Sequence, residues 1–302
     1  MATRRQFGAA LLGGAFLGAP VISLLASAKA RADTLDQARM QAEFAKIEAF
    51  SGGRLGVAIR DTATGISGGH RENERFPICS TFKFLAAAAV LKRVDLHKEK
   101  LQRRIVFSQK DLVHYSPVTE QRTGSAGMSV AEICDAAVTM SDNSAGNLLL
   151  RTLGGPSGIT LFTRSLGDNM TRLDRWETDL GEAAPGDPRD TTTPASMVNN
   201  LQKLLCEKTV LSDASQAQLL AWLAGCKTGD NRLRAKLPKD WRVGDKTGSG
   251  NHGSANDVAI LMPPDRAPIL VAVYLTQTDA PPADRDAAIA EVGHLIASAI
   301  AA

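Results

Sequence analysis

The stretch GRLGVAIRDTATG, residues 53–65, determines which fold this sequence can adopt. Its apolar residues, and the Thr, Asp and Gly that follow them, predict a β-strand and a turn near the amino terminus. An isolated strand pair is only marginally stable, so this strand needs partners from elsewhere. Strand patterns recur near the carboxyl terminus, at 241–248 (WRVGDKTG), 257–263 (DVAILMP) and 267–275 (APILVAVYL). We therefore expect one antiparallel sheet that joins the two ends of the chain.

Helical patterns flank and interrupt these strands. Residues 35–50 and 286–300 have helical periodicity, and these two terminal helices should cover a face of the sheet. Between Phe82 and about Trp222 the apolar patterns are mostly helical. The expected fold is therefore α/β in the broad sense, more narrowly α+β, with the active site in a cleft between two domains. Those domains are an α/β sheet domain (33–71 and 223–302) and an inserted all-α domain (72–222).

A long segment without periodicity interrupts the helical region. Residues 170–194 read MTRLDRWETDLGEAAPGDPRDTTTP, which is rich in charge, Gly and Pro. Ordered loops of this length are uncommon in compact domains and are usually functional. We expect residues 172–194 to form an active-site loop.

Residues 1–32 have the pattern of an export signal. Arg4 and Arg5 precede an apolar stretch, and the small residues of AKA and ARA before Asp33 provide cleavage sites. The start TRRQFG resembles a twin-arginine signal. A retained membrane anchor is the alternative, which the glycines and the proline within the apolar stretch disfavour. We expect a periplasmic or secreted protein with no membrane attachment after the signal is removed.

The charge of the chain depends on that signal. The whole chain has a formal net charge of +3, and residues 1–32 hold four basic and no acidic residues, which leaves −1 for the rest. A nearly neutral mature chain does not indicate a phosphate-binding surface, so we expect no nucleic-acid partner.

Cysteine and histidine spacing does not indicate a metal site. The histidines are scattered, without HExxH, and the cysteines form no CxxC or CxxH. We therefore expect no metal. An exported chain could form disulfides, but spacing alone leaves their pairing open. The four cysteines are Cys79, Cys134, Cys206 and Cys226.

The stretch CSTFK, residues 79–83, places a hydroxyl and an amine three residues apart before an apolar run. Three residues along a helix, Lys83 would lie on the same face as Ser80. Serine is a poor nucleophile without an adjacent base, and a partly desolvated lysine can lose its proton and act as one. An ordinary serine N-cap with a solvated lysine is the alternative, and this stretch alone does not exclude it.

Two further motifs follow in order. S-D-N occupies Ser141 to Asn143 between two helical patterns, and K-T-G occurs twice. The copy at 227–229 follows a helical pattern and is interpreted as a helix end with a terminal glycine. The copy at 246–248 lies on a predicted strand that more predicted strands follow, and it is the candidate for the site. S-x-x-K, S-D-N and K-T-G together are typical of class A β-lactamases and penicillin-binding proteins.

With these motifs the chain resembles a class A serine β-lactamase over its whole mature length. The resemblance extends to four further stretches, which are HYSPVTE (114–120), SDNSAGNLLL (141–150), RLDRWETDL (172–180) and GDPRDTTTP (186–194). The fold of that family agrees with the split sheet and inserted helices expected above. It implies hydrolysis of penicillins and early cephalosporins by a monomer that needs no cofactor.

The resemblance implies catalytic roles for four residues. Ser80 would be acylated by the β-lactam carbonyl. Lys83 and Glu177 would share the activation of that serine, and Glu177 would activate the water that hydrolyses the acyl-enzyme. Ser141 would pass a proton to the β-lactam nitrogen. A solvated loop carboxylate is the alternative for Glu177.

It also implies residues that bind substrate or support the site. The backbone N–H groups of Ser80 and Ser249 would form the oxyanion hole. Asn143 would bind the side-chain amide of the substrate, and Tyr115 would line the mouth of the cleft unless it is only a packing aromatic. The other implied residues are Lys246, Thr247, Gly248 and Arg232 for the substrate carboxylate, Asn147 as a partner of Glu177, and the pair Arg175–Asp190 bracing the loop.

Three departures from the family pattern are visible. Gly181 stands where members usually carry an Asn that helps hold the deacylating water. Ala255 stands where an Arg often contacts the substrate carboxylate, and Arg232 stands where other members supply a replacement. Cys79 and Cys134 match halves of two family disulfides whose partner positions hold Gly250 and Ala87. We expect neither of those disulfides.

Two other kinds of protein share the nucleophile. One is a penicillin-binding receptor or sensor, and the other is a DD-peptidase. Either would be acylated by a β-lactam at Ser80 but would not turn the β-lactam over. Both lack a deacylating base, so Glu177 in its long loop disfavours them.

Overall fold

The computed structural model describes residues 39–124 and 126–301. The predicted export signal at 1–32 lies outside these residues, as does the start of the predicted terminal helix before residue 39. Described residues from Met40 onward belong to one compact unit. In the described part of the chain, no helix combines the length and the apolarity that a membrane span requires.

A five-stranded antiparallel sheet joins the two ends of the chain, as predicted. Its strands, in spatial order, are β2 (Ser67–His70), β1 (Arg54–Asp61), β9 (Ile269–Thr276), β8 (Ala255–Met262) and β7 (Arg242–Ser249). Strand β1 pairs with β9 over its full length, from Arg54 opposite Thr276 to Asp61 opposite Ile269. The amino-terminal strand thus finds its partner more than 200 positions away, where the carboxyl-terminal strands are.

The central strand β9 is apolar throughout because both of its faces are covered. Its alternate residues Val271 and Val273 pack in one core cluster with Phe44 of α1 (39–51) and Ile289 of α8 (Pro282–Ala301). The residues between them face a second cluster that contains Tyr274 and the helical region. The period of two in a strand therefore divides one apolar run between two cores.

The remaining helices form the helical region beside the sheet. They are α2 (Phe82–Asp95), α3 (Val130–Thr139), α4 (Asn143–Leu153), α5 (Pro156–Ser165), α6 (Pro194–Leu205) and α7 (Asp213–Ala224). Helix α2 lies at the centre, where every residue from Phe82 to Leu91 is buried. Lys83 is the one charged residue in that buried run, so the fold holds an amine inside a core.

Two features of the helical region differ from the sequence prediction. Short strand pairs occur within it, since β3 (Phe76–Pro77) pairs with β6 (Thr191–Thr192) and β4 (Arg104–Ile105) pairs with β5 (Met128–Ser129). Two-residue strands carry no readable periodicity. Helix α7 also ends at Ala224, earlier than the expected end at the first K-T-G, because Gly225 caps it. The division into domains at 71/72 and 222/223 stays a prediction.

Candidate active site

Ser80 lies in a single 3₁₀ turn, Cys79–Thr81, that leads into α2. Helix α2 has no side-chain N-cap, so the alternative interpretation of Ser80 as a capping serine is wrong. Instead, Lys83 Nζ donates to Ser80 Oγ at 2.9 Å, and Ser80 Oγ donates to Glu177 Oε1 at 3.2 Å. The hydroxyl therefore lies between an amine and a carboxylate, which is the arrangement that activates a serine.

The buried Lys83 amine is surrounded by acceptors. Its Nζ donates to Ser141 O at 2.8 Å and to Asn143 Oδ1 at 2.6 Å, and it lies 2.9 Å from Glu177 Oε1. A buried ammonium group is tolerated only when it is paired and hydrogen-bonded. These contacts join the first turn of α2, the S-D-N segment and the long loop at one point.

The middle residue of S-D-N has a structural role. Asp142 caps α4 by accepting from Ala145 N at 2.8 Å, and its other oxygen accepts from Val118 N and Thr119 N at 3.0 and 2.9 Å. The carboxylate therefore holds the first turn of α4 and the backbone at residues 118–119 in place beside S-D-N. Asn143 is tied further to the opposite wall, because its Nδ2 donates to His114 O at 2.8 Å.

Lys246 brings the strand-borne K-T-G into contact with S-D-N. Its Nζ donates to Ser141 Oγ at 2.9 Å and to Thr247 O at 2.8 Å. Burial is the main cause, and the nearby positive charge of Lys83 the second, of a Lys246 pKa lowered to about 7. The Ser141 hydroxyl thus lies beside an amine that can exchange a proton near neutral pH.

Gly248 allows strand β7 to pass close to Ser80. A Cβ at this position would lie 3.2 Å from Ser80 N and 3.1 Å from Cys79 Cβ, tighter than ordinary packing allows. A side chain here would push the strand away from the turn that carries Ser80. The exposed Ser249 follows directly at the mouth of the cleft.

Arg232 reaches the same end of β7. Its guanidinium donates to Gly248 O at 2.8 Å and to Ser249 Oγ at 2.8 Å, while its Nε donates to Asp286 Oδ1 at 2.8 Å. The side chain is therefore held by the strand and by α8. It lines the cleft, as expected for a residue that could meet an anionic group there.

The first K-T-G, interpreted from sequence as a helix end, contributes a residue to the site. Thr228 Oγ1 lies 2.5 Å from Thr247 Oγ1, and Thr228 lines the cleft. The sequence did not predict a place for Thr228 in the cleft. The repetition of K-T-G in the sequence was the one signal that could have drawn attention to Thr228. The threonines of the two copies are in contact in the structure.

The long loop is held by buried polar contacts. Asp190 Oδ2 accepts from Arg175 Nε at 2.5 Å, and Asp190 Oδ1 accepts from the backbone N–H groups of Asp174 and Arg175 at 2.7 and 2.9 Å. Asn147 contacts the Glu177 main chain and not its carboxylate, since Glu177 N donates to Asn147 Oδ1 and Asn147 Nδ2 donates to Glu177 O, both at 2.9 Å. The Glu177 carboxylate is left to face Ser80 and Lys83.

Replacing Asp190 by alanine should lower the free energy of unfolding by about 2 to 3 kcal/mol, because Arg175 and two backbone N–H groups lose their acceptor. Chemical denaturation measures this loss. Asp187→Ala is the matched control in the same loop, since Asp187 pairs mainly with the exposed Arg189. Equal losses for the two variants would contradict a bracing role for Asp190.

Cys79 lies under the junction of β7 and the loop. It is fully buried and forms no disulfide. The other three described cysteines also form no disulfide; Cys134 and Cys226 are buried, and Cys206 is exposed. Burial raises the pKa of the Cys79 thiol to about 12, which makes it unreactive. A Cβ on Gly250 would lie 2.9 Å from Cys79 Sγ and 2.9 Å from Gly181 O. Cys79 is thus a small buried side chain that packs against a close backbone approach.

The exposed side of these residues forms a cleft of about 620 Å³. It is lined by the predicted residues Ser80, Tyr115, Ser141, Asn143, Glu177, Arg232, Thr247, Gly248 and Ser249, and by His114, Thr178, Gly181, Thr228, Gly250 and Asn251. Lys83 and Lys246 lie buried behind this lining, and Asn147, Arg175 and Asp190 support the loop. Within the described ranges, no group of three His, Cys, Asp or Glu side chains could hold a metal ion.

The arrangement suits acyl transfer to serine. The Ser80 hydroxyl lies between two groups able to accept its proton. Ser141 contacts both buried lysines, because its hydroxyl accepts from Lys246 Nζ and its backbone carbonyl accepts from Lys83 Nζ. Cations and hydroxyls on the β7 side can hold an anionic substrate group.

The sequence and the fold are similar to those of known proteins. The sequence matches the Beta-lactamase enzyme family over residues 39–300. Beta-lactamase AST-1 of Nocardia asteroides is 50% identical over 257 residues, which are 85% of this chain and 82% of that protein. The solved structure of an ancestral class A β-lactamase (GNCA) is 60% identical with a TM-score of 0.85, covering 86% of this chain and 99% of that chain. PenP from Rhodopseudomonas palustris has the same TM-score and coverage at 53% identity. The chain therefore belongs to the beta-lactamase enzyme family, within class A.

Proposed function

We propose that this β-lactamase hydrolyses penicillins and cephalosporins through an acyl-enzyme on Ser80, which a water activated by Glu177 then hydrolyses. The observation that carries the proposal is the position of Glu177 Oε1, 3.2 Å from Ser80 Oγ and 2.9 Å from Lys83 Nζ. A base this close to the acylated atom is what turnover requires and what a receptor lacks.

In the proposed acylation, Ser80 Oγ attacks the lactam carbonyl while Lys83 or Glu177 accepts its proton. The carbonyl oxygen becomes an oxyanion, which the backbone N–H groups of Ser80 and Ser249 stabilise; losing one such donor typically costs roughly 3 to 4 kcal/mol. Ser141 then delivers a proton to the lactam nitrogen. Its contact with Lys246 Nζ at 2.9 Å supports this step, because the amine can supply that proton.

In the proposed deacylation, Glu177 removes a proton from a water that attacks the acyl carbonyl. The ester bond to Ser80 Oγ then breaks, and the proton passes from Glu177 to that oxygen. The hydrogen bonds between Asn147 and the Glu177 main chain support this role by holding the residue in place without occupying its carboxylate. Asn143 would bind the substrate amide, and Tyr115 would contact the substrate at the cleft mouth. The substrate carboxylate would be held by Lys246, Thr247, Arg232 and, from its position, Thr228.

Turnover of a chromogenic cephalosporin in the presence of EDTA tests the proposal. Continuous turnover supports it, whereas one equivalent of product followed by a stop would support the receptor or sensor. A chain that instead cleaves D-Ala-D-Ala peptides and releases no product from the cephalosporin beyond one equivalent would be a DD-peptidase. Steady-state kinetics on a penicillin, an oxyimino-cephalosporin and a carbapenem would then define the substrate range.

Binding of the substrate carboxylate should weaken above neutral pH. Lys246 is cationic below its pKa of about 7 and neutral above it, so the carboxylate loses a counter-charge as the pH rises. We expect KM to increase several-fold between pH 7 and pH 9. Lys246→Arg should remove this dependence because a guanidinium stays charged. A wild-type KM that is constant to pH 9 would contradict the prediction.

Gly181→Asn should accelerate deacylation by about two- to tenfold, because an amide here could help hold the water beside Glu177. The position has room, since no atom lies within 4 Å of a Cβ built on Gly181. Single-turnover decay of the acyl-enzyme measures the effect. Gly186→Asn is the control: the position is equally open in the same loop, and asparagine is among the residues that best tolerate its φ of +80°. An unchanged or slower decay in Gly181→Asn alone would refute the prediction.

Export belongs to the same proposal. The paired arginines and the apolar stretch of residues 1–32 support twin-arginine export to the periplasm or the medium. The exported protein is proposed to be a monomer. Amino-terminal sequencing of the exported protein and its mass in solution test the cleavage site and the monomeric state.

A further inference from the structure

Two buried aspartates lie behind the cleft on neighbouring strands. Asp245 of β7 and Asp257 of β8 are both fully buried. The strand register places Asp257 opposite Thr247 and Asp245 opposite Ala259, so the two carboxyl groups are diagonal neighbours on one face of the sheet. Diagonal neighbours on antiparallel strands are close enough for side chains to interact.

Each aspartate has one oxygen bonded and one oxygen without a donor. Asp245 Oδ1 accepts from Arg234 Nη2, and Asp257 Oδ2 accepts from Leu233 N at 3.2 Å. Asp245 Oδ2 and Asp257 Oδ1 have no hydrogen-bond partner in the described part of the chain. Two buried anionic oxygens without donors would be costly, and one shared proton would satisfy both.

We propose that Asp257 is a neutral carboxylic acid that donates to Asp245 Oδ2, and that this acid positions Arg232 at the cleft through the Leu233 N–H. The proton belongs to Asp257 because Asp245 has the Arg234 guanidinium as its partner. Asp257 has only a backbone N–H. No bond to carbon is made or broken, and the proton comes from water during folding.

The charges around the pair agree with this assignment. Burial raises the pKa of Asp257 well above its ordinary value, and the negative charge of Asp245 raises it further. Arg232 and Arg234 act in the opposite direction. Arg232, however, already donates to Asp286 Oδ1, Gly248 O, Asn256 O and Ser249 Oγ. The other titratable groups near Asp245 are Lys246 on the same strand and the buried thiol of Cys226.

Asp257 can influence substrate binding because its Oδ2 accepts from Leu233 N, next to Arg232. Leu233 begins the short 3₁₀ turn Leu233–Lys236, and Arg232 is the residue immediately before it. Holding Leu233 N therefore fixes the backbone from which Arg232 reaches Ser249. This consequence rests on the proposed function, in which Arg232 binds the substrate carboxylate.

The first experiment measures stability against pH for the mature protein, the Asp257→Asn variant and the Asp245→Asn variant. The folded protein binds the Asp257 proton more tightly than the unfolded chain does, so the contribution of this proton to the stability of the wild type is lost as the pH rises above about 4. An amide has no such proton to lose and can still donate to Asp245. The unfolding equilibrium constant of the wild type divided by that of Asp257→Asn should rise about tenfold per pH unit, from about pH 4 up to the pKa of Asp257 in the folded protein.

Asp245→Asn is the mirror variant. It leaves Arg234 without a carboxylate, so at pH 7 it should lower the thermal midpoint much more than Asp257→Asn does. Equal losses for the two amides would overturn the assignment of the proton, as would a wild-type to Asp257→Asn ratio that does not change with pH. A ratio that does not change with pH would mean that both carboxylates are ionised and that a water bridges them. Arg234 Nε, which also has no partner in the described residues, could donate to that water. An Asp257→Asn protein that does not fold would also overturn it.

The second experiment separates positioning from catalysis. Asp257→Ala should raise KM for a penicillin about tenfold with little change in kcat, and Asp257→Asn should restore KM. Arg232→Gln is measured beside them. If Arg232→Gln leaves KM unchanged, the proposed role of Arg232 fails, while the pH dependence of stability still tests the neutral acid. If Arg232→Gln raises KM but Asp257→Ala does not, the positioning role fails.

Discussion

Replacing Glu177 by alanine should give a protein that a penicillin or early cephalosporin acylates but that releases product at least about a hundredfold more slowly than the wild type. General-base catalysis typically contributes 10²- to 10⁴-fold, and Glu177 is the carboxylate in contact with Ser80 Oγ. Lys83 keeps its contacts with Ser80 Oγ and Ser141 O in the variant, so a base for acylation remains. The loss should therefore fall on deacylation.

Mass spectrometry of the intact Glu177→Ala protein, quenched seconds after mixing with substrate, should show one bound acyl group per chain. The wild type under the same conditions should be mostly free. Glu182→Gln is the control for a lost loop carboxylate, because Glu182 is half-exposed and contacts Arg175. Its turnover should match the wild type. Wild-type turnover in Glu177→Ala would mean that another group activates the water.

The architecture of the sheet was predictable because its physical requirement is visible in the sequence. An amino-terminal strand that cannot be stable alone has to join the later strands, and the pairing of β1 with β9 satisfies this. The short pairs β3–β6 and β4–β5 were not predictable, since two residues carry no period. They depend on which segments the larger elements bring together.

The candidate site divides in the same way. Ser80 and Lys83 are three residues apart on one helical face, so local geometry places them together without knowledge of the fold. The contacts of Thr228 and Asp257 were not predictable, because they run across strands and loops. Asp142 was seen only as part of S-D-N, whereas its carboxylate caps α4 and holds the 118–119 backbone. A motif identifies residues but does not distinguish those that take part in the reaction from those that hold the backbone in place.

Replacing Ser80 by alanine should reduce turnover by about 10⁴-fold or more while leaving stability nearly unchanged. The chemical loss follows because the acylated oxygen is removed and the oxyanion donors and bound substrate are all that remains. Stability should be retained because Ser80 caps no helix, and because Lys83 Nζ and Glu177 Oε1 still pair at 2.9 Å without it. Both quantities come from one preparation, by cephalosporin turnover and by chemical denaturation.

Ser129 supplies the opposite case and the control. Its side chain accepts from Glu132 N at 3.2 Å as the N-cap of α3, within a reciprocal capping box. Ser129→Ala should therefore lower the free energy of unfolding by about 1 kcal/mol and keep full turnover of the folded protein. If Ser80→Ala instead loses as much stability as Ser129→Ala and keeps turnover, Ser80 is a structural serine and the nucleophile lies elsewhere. The pair of variants thus separates, by measurement, the two roles that the sequence CSTFK allows.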